Sequence, residues 1–275
     1  MADRVLVTGA KGKTGSSLVH QLREAGVAVW AGTRSPKVEG DVAFDWHKPE
    51  TFDAALDGVT GVYLVAPTDT DMPLQPMKPF LERAASLRLV LLSASSLPQG
   101  GPMMGAIHEW LATNAPNFAV LRPTWFMQNI MTQHLHGILK EDAIFSATED
   151  GRIPFIDARD IAAVAAAMLA GALSEPGAAP ILTGPQAWSY DDVAEMLTKI
   201  RGRRVRHVRL SVADLARRYE TYGLPPSYAT TLAAFDSDIA KGSEDRVTNE
   251  VAHWTHQQPN NLLTFLAAHE AILRG

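Results

Sequence analysis

Three glycines, Gly9, Gly12 and Gly15, follow a short β-branched run in the segment Val5-Leu-Val-Thr-Gly-Ala-Lys-Gly-Lys-Thr-Gly15. An amphipathic run over 16–25 comes directly after them. That order constrains the chain to leave a strand through a tight turn and enter a helix at once. The glycines have separable jobs there. Gly9 lets the chain turn sharply, Gly12 removes a side chain where a pyrophosphate must approach backbone N–H groups, and Gly15 lets the helix lie close to the sheet. The unpaired N–H groups and the positive dipole end of the helix, with Lys11, Lys13 and Thr14 in the turn, then face the phosphates. A bare glycine triplet serves as a plain turn just as well. The strand before it and the helix after it carry the dinucleotide reading. The run Gly9-Ala-Lys-Gly-Lys-Thr14 has too few residues between its glycines for a P-loop, and no G-x-S-x-G elbow occurs.

At 275 residues, 46% hydrophobic and 20% charged, the chain can bury a large core. The net charge of −5 argues against nucleic acid as a partner. The one basic cluster, Arg201-Gly-Arg-Arg-Val-Arg206, reads as a solvated helix end and strand start. Without cysteine, disulfides, thiolate metal sites and cysteine nucleophiles are excluded. There is no basic-then-apolar leader and no apolar stretch of about 18 residues, so a cytoplasmic enzyme with no membrane partner is the expectation. The pairs His134/His136 and His253/His256 lack a third ligand at useful spacing, so no metal is expected.

Strand-like runs at 27–32, 42–44, 61–65, 89–92 and 118–121 alternate with helical patterns at 51–57, 75–86 and 102–115. This alternation predicts an α/β, Rossmann-type doubly wound parallel sheet whose ligand site lies outside the C-terminal strand ends. Later elements are less regular: a short strand at 153–156, an alanine-rich helix opened by Asp157 and Asp160, and a strand at 181–183. A helix capped by Ser189, a strand at 205–208, helical stretches beyond Ser211 and a last helix over 261–273 follow. The expected division is a nucleotide-binding domain over 1–150 and a smaller C-terminal substrate-covering lobe over 151–275, with an interleaved boundary.

In such a fold the end of the second strand meets the adenosine ribose, and an acidic residue there suits a free 2′-OH. Here the place reads Ala31-Gly-Thr-Arg34, with no carboxylate. Arg34 can grip a 2′-phosphate, Thr33 can donate a hydroxyl, and Lys11 or Lys13 can add charge, so NADP(H) is the expected cofactor. The alternative is that Arg34 is a solvated loop charge. Asp45 is placed to accept from the adenine amino group or, equally, to form a turn. Ala66, Pro67 and Thr68 would run past the riboses, and Ser93, Ser95 and Pro123 would lie near the nicotinamide half.

Ordinary short-chain dehydrogenases carry a Tyr-x-x-x-Lys pair on the helix after the fifth strand. The five tyrosines here are Tyr63, Tyr190, Tyr219, Tyr222 and Tyr228, and none has Lys four residues on. The helix instead reads Pro102-Met-Met-Gly-Ala-Ile-His-Glu-Trp-Leu111. The glycine turn, the missing Tyr, Leu121-Arg-Pro-Thr-Trp-Phe-Met-Gln-Asn129 and Ile153-Pro-Phe-Ile-Asp-Ala-Arg-Asp-Ile-Ala162 together resemble the NmrA-like, atypical short-chain dehydrogenase family. These segments span roughly the first 60% of the chain. Within that family, His108-Glu-Trp-Leu111 with Arg122-Pro-Thr-Trp-Phe-Met127 is similar to the festuclavine synthase/agroclavine dehydrogenase group of ergot alkaloid reductases. Many members place a lysine near the start of this helix, where this chain has Met104.

Two functions absorb these departures. One is an NADPH-dependent reductase delivering hydride to a small planar or cationic substrate, an iminium or a quinone, that needs no concerted proton. Met104, Trp125 and Phe126 are its candidate substrate contacts, aromatic faces suiting such a substrate, although Trp125 and Phe126 serve equally well as core. His108 and Ser95 are candidate proton or hydrogen-bond donors, against structural roles for both. The other function is a non-catalytic NADP(H)-binding sensor of the NmrA type. The expected partner is a small molecule, with a homodimer left open.

Overall fold

The computed structural model describes residues 3–275. The chain forms two compact units. One runs to Pro123 and also takes in Ala158–Leu182 and Glu250–Gln257, so two segments beyond residue 150 rejoin it. The other comprises Thr124–Asp157, Thr183–Asn249 and Gln258–Gly275.

The first unit is built on a seven-stranded sheet of β1 (Arg4–Val7), β2 (Ala28–Thr33), β3 (Asp41–Ala43), β4 (Gly61–Val65), β5 (Arg88–Leu92), β6 (Phe118–Pro123) and β8 (Ile181–Leu182). Its order is β3-β2-β1-β4-β5-β6-β8 and every pairing is parallel. The order reverses between β1 and β4, which opens the switch-point crevice at their C-terminal ends. Alternate residues Leu6, Val62, Leu64, Leu89, Leu91 and Val120 form one core with Phe52 of α2 (Phe52–Leu56), Met77 and Phe80 of α3 (Leu74–Ala84), and Ile107 and Leu111 of α4 (Met104–Asn114). Phe44, Trp46, Phe52 and Phe80 stack edge to face within it at centroid distances from 4.7 Å. Helices α1 (Lys13–Glu24) and α6 (Ala158–Leu169) pack on each other and on the strands, and α10 (Glu250–Thr255) packs on α6. The sheet is covered by helices, so its strands read as continuous apolar runs.

The second unit holds a two-stranded parallel sheet of β7 (Ala143–Ser146) and β9 (Arg206–Arg209). Around it lie α5 (Leu135–Glu141), α7 (Tyr190–Arg201), α8 (Val212–Thr221), α9 (Pro226–Ala240), α11 (Leu262–Ala268) and α12 (Glu270–Arg274). Ser189 caps α7 in a full capping box with Asp192.

Three sequence expectations need correction. The segment 153–156 makes only isolated bridges, Ile153 to Trp188 and Phe126 to Ile156, because Pro154 has no N–H to continue a ladder. The last helix breaks at His269 into α11 and α12. Arg201 is not a solvated helix end: its side chain is fully buried, donating to the Leu273 carbonyl and to Asp142 Oδ1. Elements α5 and β7 were not foreseen. No described helix is long and apolar enough to cross a membrane.

Candidate functional site

The turn between β1 and α1 is tied by its own backbone. Gly9 sits at φ +64°, and its carbonyl accepts from Gly12 N–H at 2.8 Å. A Cβ added to Gly15 would lie 2.3 Å from that same carbonyl oxygen. Gly15 therefore lets the helix meet the turn, not the sheet as its spacing suggested. Thr8 fixes the crevice floor: its N–H and hydroxyl both donate to the Tyr63 carbonyl, and its hydroxyl oxygen accepts from Val65 N–H at 2.8 Å. The Thr14 side chain is buried and turned toward β4, where it accepts from the Tyr63 hydroxyl. That leaves Thr14 its backbone N–H for a ligand.

The first turn of α1 holds no acidic residue. Lys13 stands at its first position and Lys11 just before it, so positive charge gathers at the positive end of the helix dipole. Cations are disfavoured at that end of a helix dipole, and an anion bound at the turn is favoured by both. The turn thus fits a pyrophosphate.

At the end of β2, Arg34 is exposed and has no ion-pair or hydrogen-bond partner among the described residues. The Thr33 hydroxyl oxygen accepts from Ser35 N–H at 3.3 Å, which leaves its proton to donate. The neighbouring carboxylate, Asp41, is occupied: it accepts from Lys37 N–H at 2.9 Å and lies 3.8 Å from the Lys11 ammonium. These contacts, the Lys37 N–H foremost, hold it below the usual carboxylate range. Lys11 is also shared with the Ser35 carbonyl at 3.4 Å. Asp45 is half-buried and accepts from His47 N–H at 3.0 Å, the turn-forming geometry.

Ala66, Pro67 and Thr68 form the partly exposed loop between β4 and α3. After β5, Ser93 donates its N–H to the Leu121 carbonyl, while its hydroxyl is buried without a hydrogen-bond partner among the described residues. A buried orphan hydroxyl at the C-terminal end of a central strand is a group awaiting a ligand or water. Ser95 is buried too. Its N–H donates to the Pro123 carbonyl and its own carbonyl accepts from Arg122.

Helix α4 carries Met104 and His108. Met104 is partly buried against the core of the first unit. His108 is 4% exposed, with its ring 6.1 Å from that of Phe118 and its Nδ1 buried without a hydrogen-bond partner among the described residues. Burial first, and the Arg122 charge second, lower its pKa, so the imidazole is neutral near pH 7. An enclosed neutral ring is not the cleft-facing acid that the sequence offered as one reading. Met103 precedes it at φ +53° and ψ −119°, the first central position of a 102–105 turn closed by Gly105 N–H on the Pro102 carbonyl.

In the second unit, Trp125 packs against the core and stands edge-on to Phe235 at 6.3 Å, while Phe126 is partly buried. That unit also holds polar residues missed from sequence. Asp236 is 3% exposed and accepts from Ala147 N–H at 2.9 Å. The Tyr190 hydroxyl meets His134 Nε2 at 3.0 Å, and Ser146 meets His207 Nε2 at 2.7 Å. Helical spacing was the available signal: Asp236 shares a stripe with Ala229 and Ala233, both fully buried.

No family model matches the chain. It is 38% identical to agroclavine dehydrogenase of Claviceps fusiformis, with 98% of each chain covered. It is 39% identical to festuclavine dehydrogenase easG of Aspergillus fumigatus over 97% of this chain and 98% of that one. Among solved structures, the NADPH-dependent quinone oxidoreductase QOR2 of Escherichia coli matches with a TM-score of 0.82 at 22% identity, covering 96% of this chain and 99% of that one. The likeness to QOR2 is one of fold, a Rossmann-type sheet flanked by helices. Full-length identity to the two dehydrogenases goes further, and the chain belongs with them to the NmrA-like, atypical short-chain dehydrogenase family of oxidoreductases.

Proposed function

We propose that this protein is an NADPH-dependent reductase that delivers hydride to a small planar or cationic organic substrate, a cyclic iminium or a quinone, without a Tyr/Lys acid pair. The observation that carries the cofactor reading is Arg34 after the end of β2, exposed and without a partner among the described residues, with Asp41 spent on its own loop and on Lys11. The names of its relatives, the agroclavine and festuclavine dehydrogenases, support reduction or oxidation of an organic substrate, and QOR2 was crystallised with NADPH.

The Gly9–Gly15 turn, with Lys11 and Lys13, would hold the pyrophosphate. Arg34 and Thr33 would take the 2′-phosphate, and the Ser93 hydroxyl would pair with the nicotinamide end. When bound, the cofactor supplies a hydride from C4 of its nicotinamide. Helix α4 contains neither Tyr nor Lys, and His108 is neutral and enclosed, so no side chain of α4 is assigned a proton. An iminium needs none, since hydride alone neutralises it, and a quinone takes its protons from water. Positioning then supplies most of the catalysis.

The test is NADPH consumption with three acceptors: N-methylquinolinium, menadione and benzaldehyde. Oxidation with the iminium or the quinone and none with the aldehyde is expected. Turnover of the aldehyde alone, or of nothing, would overturn the reading.

A further inference from the structure

Two loops meet at the C-terminal end of the first unit's sheet. One follows β3 and the other follows β4, and the strand order puts β2 and β1 between them. With strands about 4.8 Å apart, β3 lies roughly 14 Å from β4, so the loops reach each other only by spanning the crevice at the ends of β2 and β1. They are joined twice. Trp46 Nε1–H donates to the Val65 carbonyl at 3.1 Å, and His47 Nε2–H donates to Asp69 Oδ2 at 3.0 Å.

The two contacts differ in kind. The Trp46 ring stands edge-on to Phe44 at 4.7 Å and to Phe80 at 5.3 Å, so its bond is anchored in the core. The His47 and Asp69 side chains are 54% and 64% exposed. A pair so open to water contributes little to folding. His47 is nonetheless held at both ends, its backbone N–H on Asp45 Oδ1 at 3.0 Å and its ring on Asp69. The Lys48 N–H on the Asp45 carbonyl and the Thr51 hydroxyl on the Lys48 carbonyl close the same turn. An ordered turn thus presents an outward-facing pair beside the end of β2, the place of the adenosine half in a doubly wound nucleotide fold.

We propose that His47 and Asp69 form a clasp over the adenine end of the NADP(H) site: the pair parts to admit the nucleotide and re-forms across it, setting how long the cofactor stays. The inference rests on the proposed function and adds two positioning residues to it. A bound nucleotide displaces water from the crevice, and a hydrogen bond from an imidazole to a carboxylate strengthens as water leaves. The clasp is therefore weak in the empty protein and firm in the filled one. It bears on the adenosine half, beside β2 and β3; the nicotinamide half would lie toward β5, at Ser93.

The test is stopped-flow release of NADPH from the full chain and from His47→Ala, Asp69→Ala and the double variant. Both side chains are exposed, so the variants should keep the fold. Each single variant should release NADPH at least threefold faster than the parent. The double variant should be no faster than either single, the mark of one shared contact. Affinity for 2′,5′-ADP, the adenine half, should fall at least threefold in the variants, while affinity for reduced nicotinamide mononucleotide should stay as it was. Release less than threefold faster in either single variant, effects that multiply in the double, or equal losses for the two half-nucleotides would each overturn the clasp. The parent separates the two claims. If it binds NADPH and the variants release it at the parental rate, the clasp alone fails; if it binds no NADPH, the proposed function fails and takes the clasp with it.

Discussion

The Tyr63 hydroxyl donates to Thr14 Oγ1 at 3.1 Å, and both side chains are buried. This bond fastens β4 to the first turn of α1, the two elements that flank the switch-point crevice. Either Tyr63→Phe or Thr14→Val breaks it and leaves the other hydroxyl buried without this partner, so each variant should lose about 1–3 kcal/mol of stability in urea denaturation. Parent-like stability in both variants would show that the bond contributes nothing.

Gly15→Ala forces a Cβ to within 2.3 Å of the Gly9 carbonyl oxygen, which is backbone and cannot swing aside. A cost of about 1–3 kcal/mol is expected from overpacking. The displaced turn should also lose NADPH affinity by at least tenfold. Full NADPH binding by a folded Gly15→Ala protein would show that the turn does not carry the pyrophosphate.

Met103 occupies φ +53°, ψ −119°, a conformation that favours glycine. Such strain costs on the order of 1–3 kcal/mol, partly offset in Met103→Gly by the greater entropy of unfolded glycine. The variant should be more stable by about 1 kcal/mol, read as a higher urea midpoint at unchanged slope. A lower midpoint would show that the Met103 side chain contributes more than its backbone costs.

Two buried groups in the second unit give opposing pH dependence. His134 is lowered from 6.5 to about 4, by burial first and then by His207 and Arg218. The unfolded chain binds this proton first, so His134 stabilises the fold above pH 6.5 and that contribution is lost as pH falls toward 4. Asp236 is raised from 3.8 to about 7, by burial against the lowering effect of Ala147 N–H. The folded state keeps this proton longer, so Asp236 destabilises the fold as pH rises from 3.8 to 7. The two largely offset each other between pH 4 and 6.5. Asp236→Asn should unmask His134: relative to the parent, its stability should climb by a few kcal/mol from pH 4 to pH 8. Parallel pH profiles for the two proteins would contradict this.

The nucleotide half was legible because its signals are local. A glycine triplet between a strand and a helix, and apolar runs alternating with amphipathic ones, need no tertiary knowledge. His108 was harder, since a histidine fits either face of a helix. Yet Gly105 and Leu111, both buried, already place it on the core side of α4. Arg201 and Asp236 were missed because charge usually means solvent. Both continue buried stripes, Val193–Leu197–Arg201 and Ala229–Ala233–Asp236, and periodicity outranked polarity in each. Elements α5 and β7 left no clear mark, being short and bounded by Asp142 in the left-handed region.

Titration of NADPH and NADH into the protein and its Arg34→Ala variant tests the central claim most directly. The unaltered protein should bind NADPH at least tenfold more tightly than NADH. Losing a charge-assisted pair with the 2′-phosphate should cost Arg34→Ala roughly 10- to 100-fold in NADPH affinity and leave NADH binding as it was. Equal affinity for the two nucleotides, or an Arg34→Ala protein that still prefers NADPH, would contradict the assignment of Arg34 and with it the NADP(H) site.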